Sequence, residues 1–394
     1  MLNFDYQSGT KVIFGRGVID RLGEEVSELG KKALFVYGRD SIKRSGLHEK
    51  ICAQLQEAGV EIVEHAGVSA NPLLSHVQSG VDKARKIGAD FIIGAGGGSV
   101  IDESKGIAAG TANDAALWDL YSGKVKPTAA LPVVAIQTLP ATSSETNQVG
   151  VATNDETGEK FGLRSPLLVP VKAFLDPELT FTIPLKYTAY ACFDMMTHMI
   201  EGYFTTTAEF APVHDGFVEG LAKAVKKSLA RILKNPNDYD ARAAVMWAGT
   251  LAWNGLSNAG LEGAKIPSHM FEHPLSGLYN VAHGAGLAVV MPAWLEYKKH
   301  EVKSRIVSFG KNILEMQNLS EVSDELAAAD LVIAEFRSWL QSIGCPSSLA
   351  DLGIDNPDYK ELVHHAMKLS EIWNIPGYSE ADMTAIYKLC AKGK

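Results

Sequence analysis

FIIGAGGGSVIDESKG, residues 91–106, is the stretch whose reading decides the fold. The apolar run Phe91 to Gly96 reads as a buried strand. Gly96, Gly97 and Gly98 turn the chain, and Ser99 and Asp102 open what the spacing predicts to be a helix. A strand that feeds straight into a helix is the unit of a parallel sheet with crossover helices. Glycines at that turn let backbone N–H groups approach a phosphate closely, and the helix N-terminus favours its charge. The spacing differs from G-x-G-x-x-G, with Ser99 at the third position, and taken alone the run also suits an ordinary turn after a strand.

The same texture extends outward. Lys32 to Gly38 and Val60 to Ala66 read as strands, with helical spacing over Gly46 to Ala58 and Leu73 to Ile87. Val133 to Leu139 is a further strand, Val149 to Thr153 and Lys160 to Leu163 a hairpin, and Leu168 to Asp176 a last strand. In such sheets ligands bind beyond the carboxyl ends of the strands. Gly38-Arg39-Asp40-Ser41 lies where an adenosine ribose would sit. Arg39 and Ser41 suit a 2′-phosphate, whereas Asp40 suits a free ribose hydroxyl. Thr138, Thr142, Ser143, Ser144 and Glu145 crowd one loop, whose hydroxyls suit pyrophosphate or ribose, or equally a polar turn bonded to its own backbone.

After Pro184 strand signals nearly vanish. Leu185 to Tyr203, His214 to Leu233, Asp240 to Asn258, Lys303 to Glu315, Asp330 to Ile343, Tyr359 to Trp373 and Glu380 to Lys392 are predicted helices. The expected division is therefore an α/β domain over residues 1–180 and an all-helical domain over 181–394. Trp247, Trp253 and Phe271 are expected in the core, one or two of them alternatively walling an apolar substrate pocket. Two segments of this half carry chemistry: CFDMMTHMIE (192–201) and SHMFEHPLSGLYNVAHG (268–284). Asp194 and His198 are four apart, so on a helix they share a face, and His269 and His273 stand in the same relation. Three of the chain's 11 histidines fall within this second segment. Asp194, His198, His269 and His283 are read as meeting around one divalent cation; a carboxylate with three imidazoles suits zinc or ferrous iron.

The bulk properties set limits. A net charge of −9 argues against nucleic-acid and anionic-membrane partners. Apolar residues at 46% and charged residues at 21% describe an ordinary globular chain. The four cysteines, at 52, 192, 345 and 390, form neither a C-x-x-C knuckle nor a dense disulfide framework, and fit a reducing cytoplasm. The apolar run AGLAVVMPAWL contains Pro292 and is too short to span a bilayer.

Together GGGSVID (96–102), Thr138 with the ATSSE loop, the D-P-x-L-T segment at 176–180, Asp194-x3-His198 and HMFEHPLSGLYNVAHG (269–284) resemble the iron-containing alcohol dehydrogenase family, most closely its butanol-dehydrogenase-like branch. The motifs run in the family's order over nearly the whole chain, and the final histidine segment is highly specific. The resemblance implies an N-terminal Rossmann-like α/β domain with a parallel sheet, a C-terminal all-α domain (a dehydroquinate synthase-like architecture), and an active site in the cleft between them. It implies one Fe2+ or Zn2+ on the four residues above, with His273 nearby as a non-ligand and candidate proton relay. Cofactor contacts would come from Gly97, Gly98, Ser99, Asp102, Thr138 and Lys160, with Asn71 near the adenosine. The expected reaction is reversible hydride transfer between NAD(P)(H), NADP(H) favoured through Arg39 and Ser41, and a small primary alcohol or aldehyde such as butanol or butanal. A cytoplasmic homodimer is expected, paired through Tyr6 to Gly15. Relatives of this branch usually read Gly-Gly-Gly-Ser at 38–41 and often Gly at 143 or 144, where this chain departs. A metal-dependent lyase on the same architecture and a non-catalytic binding protein are the rival readings; the few cations near the metal segments disfavour the lyase.

Overall fold

A computed structural model describes residues 1–393. The strands are β1 (Lys11–Phe14), β2 (Lys32–Tyr37), β3 (Glu61–Ala66), β4 (Phe91–Gly97), β5 (Val133–Leu139), β6 (Val149–Thr153), β7 (Lys160–Arg164) and β8 (Lys172–Leu175). The helices of the first half are α1 (Leu22–Val26), α2 (Ser41–Arg44), α3 (Leu47–Glu57), α4 (Leu74–Ile87), α5 (Gly98–Ala112) and α6 (Leu117–Tyr121). Those of the second half are α7 (Leu185–Thr205), α8 (Pro212–Lys234), α9 (Tyr239–Ala252), α10 (Pro267–Tyr279), α11 (His283–Phe309), α12 (Glu325–Ser342), α13 (Tyr359–Ile372) and α14 (Glu380–Lys392).

Six strands form one parallel sheet in the order β1-β8-β5-β4-β2-β3, and β6 and β7 form a separate antiparallel hairpin. The apolar runs are continuous because both faces of the sheet are covered. In β2, Ala33, Phe35 and Tyr37 enter one core with Ile51 and Ile93, while Leu34 and Val36 enter the other with Val77 and Ile107. The order reverses between β2 and β4, so the switch-point crevice falls at the ends that carry Gly38–Ser41 and Gly96–Ser99.

The chain forms two compact units that depart from a single cut near residue 180. One comprises Gln7–Ile183 with Asn237–Thr250, and the other Met1–Tyr6, Pro184–Pro236 and Leu251–Lys394. Helix α9 is the excursion into the α/β unit. Its Met246 packs with Ile101, Ala135, Ala173 and Leu175, and its Thr250 hydroxyl donates to Glu145 at 2.8 Å. The first residues join the helical unit through the Leu2 N–H, which donates to Gly260 O at 2.9 Å.

Several element boundaries differ from expectation, α12 for instance starting at Glu325 ahead of Asp330. β8 begins at Lys172, because Ser165 caps a 3-10 turn over Pro166–Leu168. α9 stops at Ala252, ahead of Gly255 at φ 101°. α11 breaks at Val302 (φ −116°, ψ 17°), so the helix expected from Lys303 follows that break; the stretch ahead of it, from His283 through Pro292, was not expected as a helix, being buried all round over Gly284–Leu295 with no amphipathic period. Among the described residues, no helix is long and apolar enough to cross a membrane.

Candidate functional site

The helical unit builds its site from three helices. Asp194 and His198 share the inner face of α7, His269 lies in the first turn of α10, and His283 is the first residue of α11. Asp194, His198 and His269 are buried, with ligand atoms within 4.8 Å of one another. Asp194 Oδ1 lies 3.4 Å from His198 Nε2, 3.7 Å from His269 Nε2 and 3.7 Å from His283 Nε2. N–H···O bonds prefer about 2.7–3.2 Å. A tetrahedral cation with bonds of about 2.1–2.2 Å sets neighbouring ligands about 3.4–3.6 Å apart, which fits these separations better. Asp194 Oδ1, both ring nitrogens of His198 and His269 Nε2 are buried without a hydrogen-bond partner. Orphaned acceptors converging in a dry interior are costly unless something positive lies among them.

Two carboxylates behind the imidazoles fix their tautomers. Glu201, on α7, accepts from His269 Nδ1 and, at 3.2 Å, from the His269 backbone N–H. Glu272, on α10, accepts from His283 Nδ1 and from the Ser276 hydroxyl. Each leaves Nε2 facing Asp194, the arrangement by which outer carboxylates orient metal-ligating histidines. Both glutamates are fully buried. They were missed in the sequence, although Glu201 stands three residues after His198 and Glu272 three after His269, hence on the same helix faces.

The electrostatics agree. Burial holds His198 far below the ordinary imidazole range, with His269 and His283 adding to it, so that ring is neutral as a ligand must be. Burial alone would depress His269, but Glu201 and Asp194 outweigh it and hold its pKa at about 10. A proton is what such a cluster keeps when no cation is there. Trp253 stacks on His198, with centroids 4.8 Å apart. His273 is buried and packs edge-on to His283 and Trp373. Phe271 is core, wedged against Tyr378 and Tyr387. Trp247, expected in the core, is 45% exposed beside Phe14, since the apolar face of α9 is supplied by Met246 instead.

The α/β unit carries the other expected residues. Gly96, Gly97, Gly98 and Ser99 end β4 and open α5, and no side chain caps that helix start, so its first amides remain available. The Thr142 hydroxyl is buried without a partner, and a Cβ on Gly98 would come within 2.5 Å of it. An uncapped helix start beside an orphaned hydroxyl fits a phosphate. The Ser99 hydroxyl donates to Ala70 O at 2.5 Å, fastening the loop that holds Asn71. Lys160 Nζ donates to Asn71 Oδ1 at 3.1 Å, so these two expected contacts form one pair. Asp102 accepts from Ser144 at 2.5 Å, and burial pushes its carboxyl up. Lys105, not singled out in the sequence, is fully buried and donates to Ser144, Asn147 and Val149 O; burial lowers its pKa to about 8 against the pull of Asp102 and Glu145. Thr138 sits part-buried near the end of β5. Gly38 follows β2, and Arg39 and Ser41 beyond it are exposed.

Comparison with known proteins gives the same picture from end to end. Residues 9–177 match the iron-containing alcohol dehydrogenase family model, and residues 188–391 match the C-terminal model of that family. The chain is 37% identical over 391 residues to NADH-dependent butanol dehydrogenase A of Clostridium acetobutylicum, covering 98% of this chain and 99% of that one. It is 32% identical over 374 residues to an NADPH-dependent aldehyde reductase of Escherichia coli, covering 93% and 94%. The crystal structure of NADH-dependent butanol dehydrogenase A from Thermotoga maritima superposes with a TM-score of 0.94 at 36% identity, over 99% of both chains. The chain thus belongs to the butanol-dehydrogenase-like branch of the iron-containing alcohol dehydrogenase family and is an NAD(P)-dependent oxidoreductase of alcohols and aldehydes.

Proposed function

We propose that the chain interconverts a small primary alcohol and its aldehyde, of the butanol and butanal class, with NADP(H) favoured over NAD(H). The helical unit holds one Fe2+ or Zn2+ on Asp194, His198, His269 and His283, and the α/β unit binds the dinucleotide. The observation that carries this reading is the convergence of three Nε2 atoms on one orphaned oxygen of Asp194. When bound, the cation supplies Lewis-acid polarisation of the substrate C–O bond and the nicotinamide gives or takes the hydride. The chain's own residues do the rest. Glu201 and Glu272 hold two imidazoles in the tautomer that leaves Nε2 bare. Trp253 keeps water from one face of His198. The uncapped start of α5, with Thr142, receives the pyrophosphate, and Asn71 with Lys160 lies toward the adenosine side. His273, one turn from His269, carries the alcohol proton away.

Arg39 and Ser41 support the NADP(H) preference, since both are exposed beyond the end of β2 and suit a 2′-phosphate. A cytoplasmic homodimer is proposed on β1, the outer strand of the sheet, where Phe14 is exposed. Metal analysis of purified protein, with reduced-nicotinamide absorbance on butanal and each cofactor, tests the proposal. One Fe2+ or Zn2+ per catalytic site, with oxidation of NADPH faster than of NADH, is expected. Full turnover without metal sinks the metal assignment, and a kcat/KM favouring NADH sinks the cofactor preference. Sedimentation at micromolar concentration decides the dimer.

A further inference from the structure

A second cluster of ligating side chains lies wholly within the α/β unit. His65 on β3, His76 on α4 and Glu103 on α5 present ligand atoms within 4.8 Å of one another. Glu103 Oε1 is 3.0 Å from His65 Nε2 and 2.6 Å from His76 Nδ1, and the two rings lie 4.2 Å apart. Glu103 is 0% exposed and His65 1%, amid an apolar layer that includes Val77 and Ile107. Gly80 lets α4 close over this spot, for a Cβ there would collide with Ile107 and come within 3.1 Å of His65 Nε2.

The cluster leaves two buried polar atoms without partners. His76 Nε2 faces the Ala66 carbonyl at 3.2 Å, so its N–H donates there, while Nδ1 faces Glu103. At 2.6 Å from the carboxylate oxygen, that nitrogen shares with it either a proton or a cation in the proton's place. Beside it, Glu103 Oε2 and His65 Nδ1 are buried with no partner. A buried carboxylate with an unused oxygen, faced by two imidazoles, one of them already oriented through its other nitrogen by a backbone carbonyl, is a cation site with its outer support in place.

We propose that His65, His76 and Glu103 form a second divalent-cation site, of zinc type, separate from the four-residue cluster of the helical unit. Bonds of about 2.0–2.1 Å set ligands about 3.3–3.4 Å apart, so the His65 nitrogen must retreat from the carboxylate oxygen by about 0.3–0.4 Å and the His76 nitrogen by about 0.7–0.8 Å. His76, with 30% of its side chain exposed, allows that movement and admits the water that completes the shell. The bound cation ties β3, α4 and α5 together beneath the loop that carries Asn71 and receives the Ser99 hydrogen bond.

The test is zinc stoichiometry. Purified full-length protein is stripped with chelator, reloaded with Zn2+, dialysed and assayed by elemental analysis, with circular dichroism confirming the fold. Wild type takes two equivalents per chain. His76→Ala and Glu103→Gln each take one, His269→Ala takes one, and the His76→Ala/His269→Ala double variant takes none. One equivalent in wild type that His76→Ala retains, or two in a folded His76→Ala, overturns the second site. The His76 variant keeps the test decisive if the buried Glu103→Gln fails to fold. Two equivalents in His269→Ala with one in His76→Ala would instead count against the first cluster alone.

Discussion

At the scale of single residues, the four expected ligands and the two carboxylates behind them have separable roles. On the proposed site, loss of His269 should remove a ligand, whereas loss of charge on Glu201 or Glu272 should only loosen the orientation of one. Glu201→Gln and Glu272→Gln are each expected to weaken metal affinity about 10- to 100-fold while leaving binding measurable. Competition with a chromophoric chelator gives the number, and unaltered affinity would remove the glutamates from the site. His273→Ala separates a proton carrier from a packing residue. Metal content should stay at the wild-type level while kcat falls about 100-fold. Wild-type kcat with wild-type metal would leave His273 as packing against Trp373.

At the scale of elements, the site depends on how closely three helices approach. Residues 194, 198 and 201 lie at i, i+4 and i+7 on α7, so one face supplies two expected ligands and the carboxylate behind them. His283 reaches that face only because α11 starts with His-Gly-Ala-Gly. A Cβ at Gly284 would overlap the Tyr190 carbonyl on α7, and one at Gly286 would come within 2.6 Å of Glu272. Gly284→Ala should therefore cost about 1–3 kcal/mol, the range for overpacking a close contact, and lose metal with it. Gly220→Ala is the control. Gly220 lies on the exposed face of α8 with nothing within 4 Å of an added Cβ, and should gain up to about 1 kcal/mol. Urea denaturation of the two variants, with elemental analysis, tests the pair; equal effects would show that helix approach does not govern the site.

At the scale of the whole molecule, each compact unit has its own expected ligand. A ligand that binds only the folded state stabilises by about 2.7 kcal/mol at 100 times its dissociation constant. Removing the catalytic metal should lower the melting temperature, and adding NADPH to the stripped protein should still raise it. Calorimetry of both forms is the check, and a stripped protein indifferent to NADPH would sink the assignment of the dinucleotide to the α/β unit. What the sequence by itself determined about this protein was short-range. The runs that became β2, β4 and β5, the glycine turn into α5, and the i, i+4 spacing of Asp194 and His198 each depend on neighbours along the chain. Patterns of that reach, with the family's motif order, were enough for the fold class and the reaction class. What only the tertiary structure decided involves segments distant in sequence. Helix α9 leaves the helical run because Met246 fills a gap between Ile101 and Leu175. Glu201 and Glu272 acquire their role from rings on other helices. His65, His76 and Glu103 meet because the strand order and the packing of α4 and α5 on the sheet bring three unremarkable positions to one point. No local period encodes such a meeting, since it depends on which surfaces bury each other.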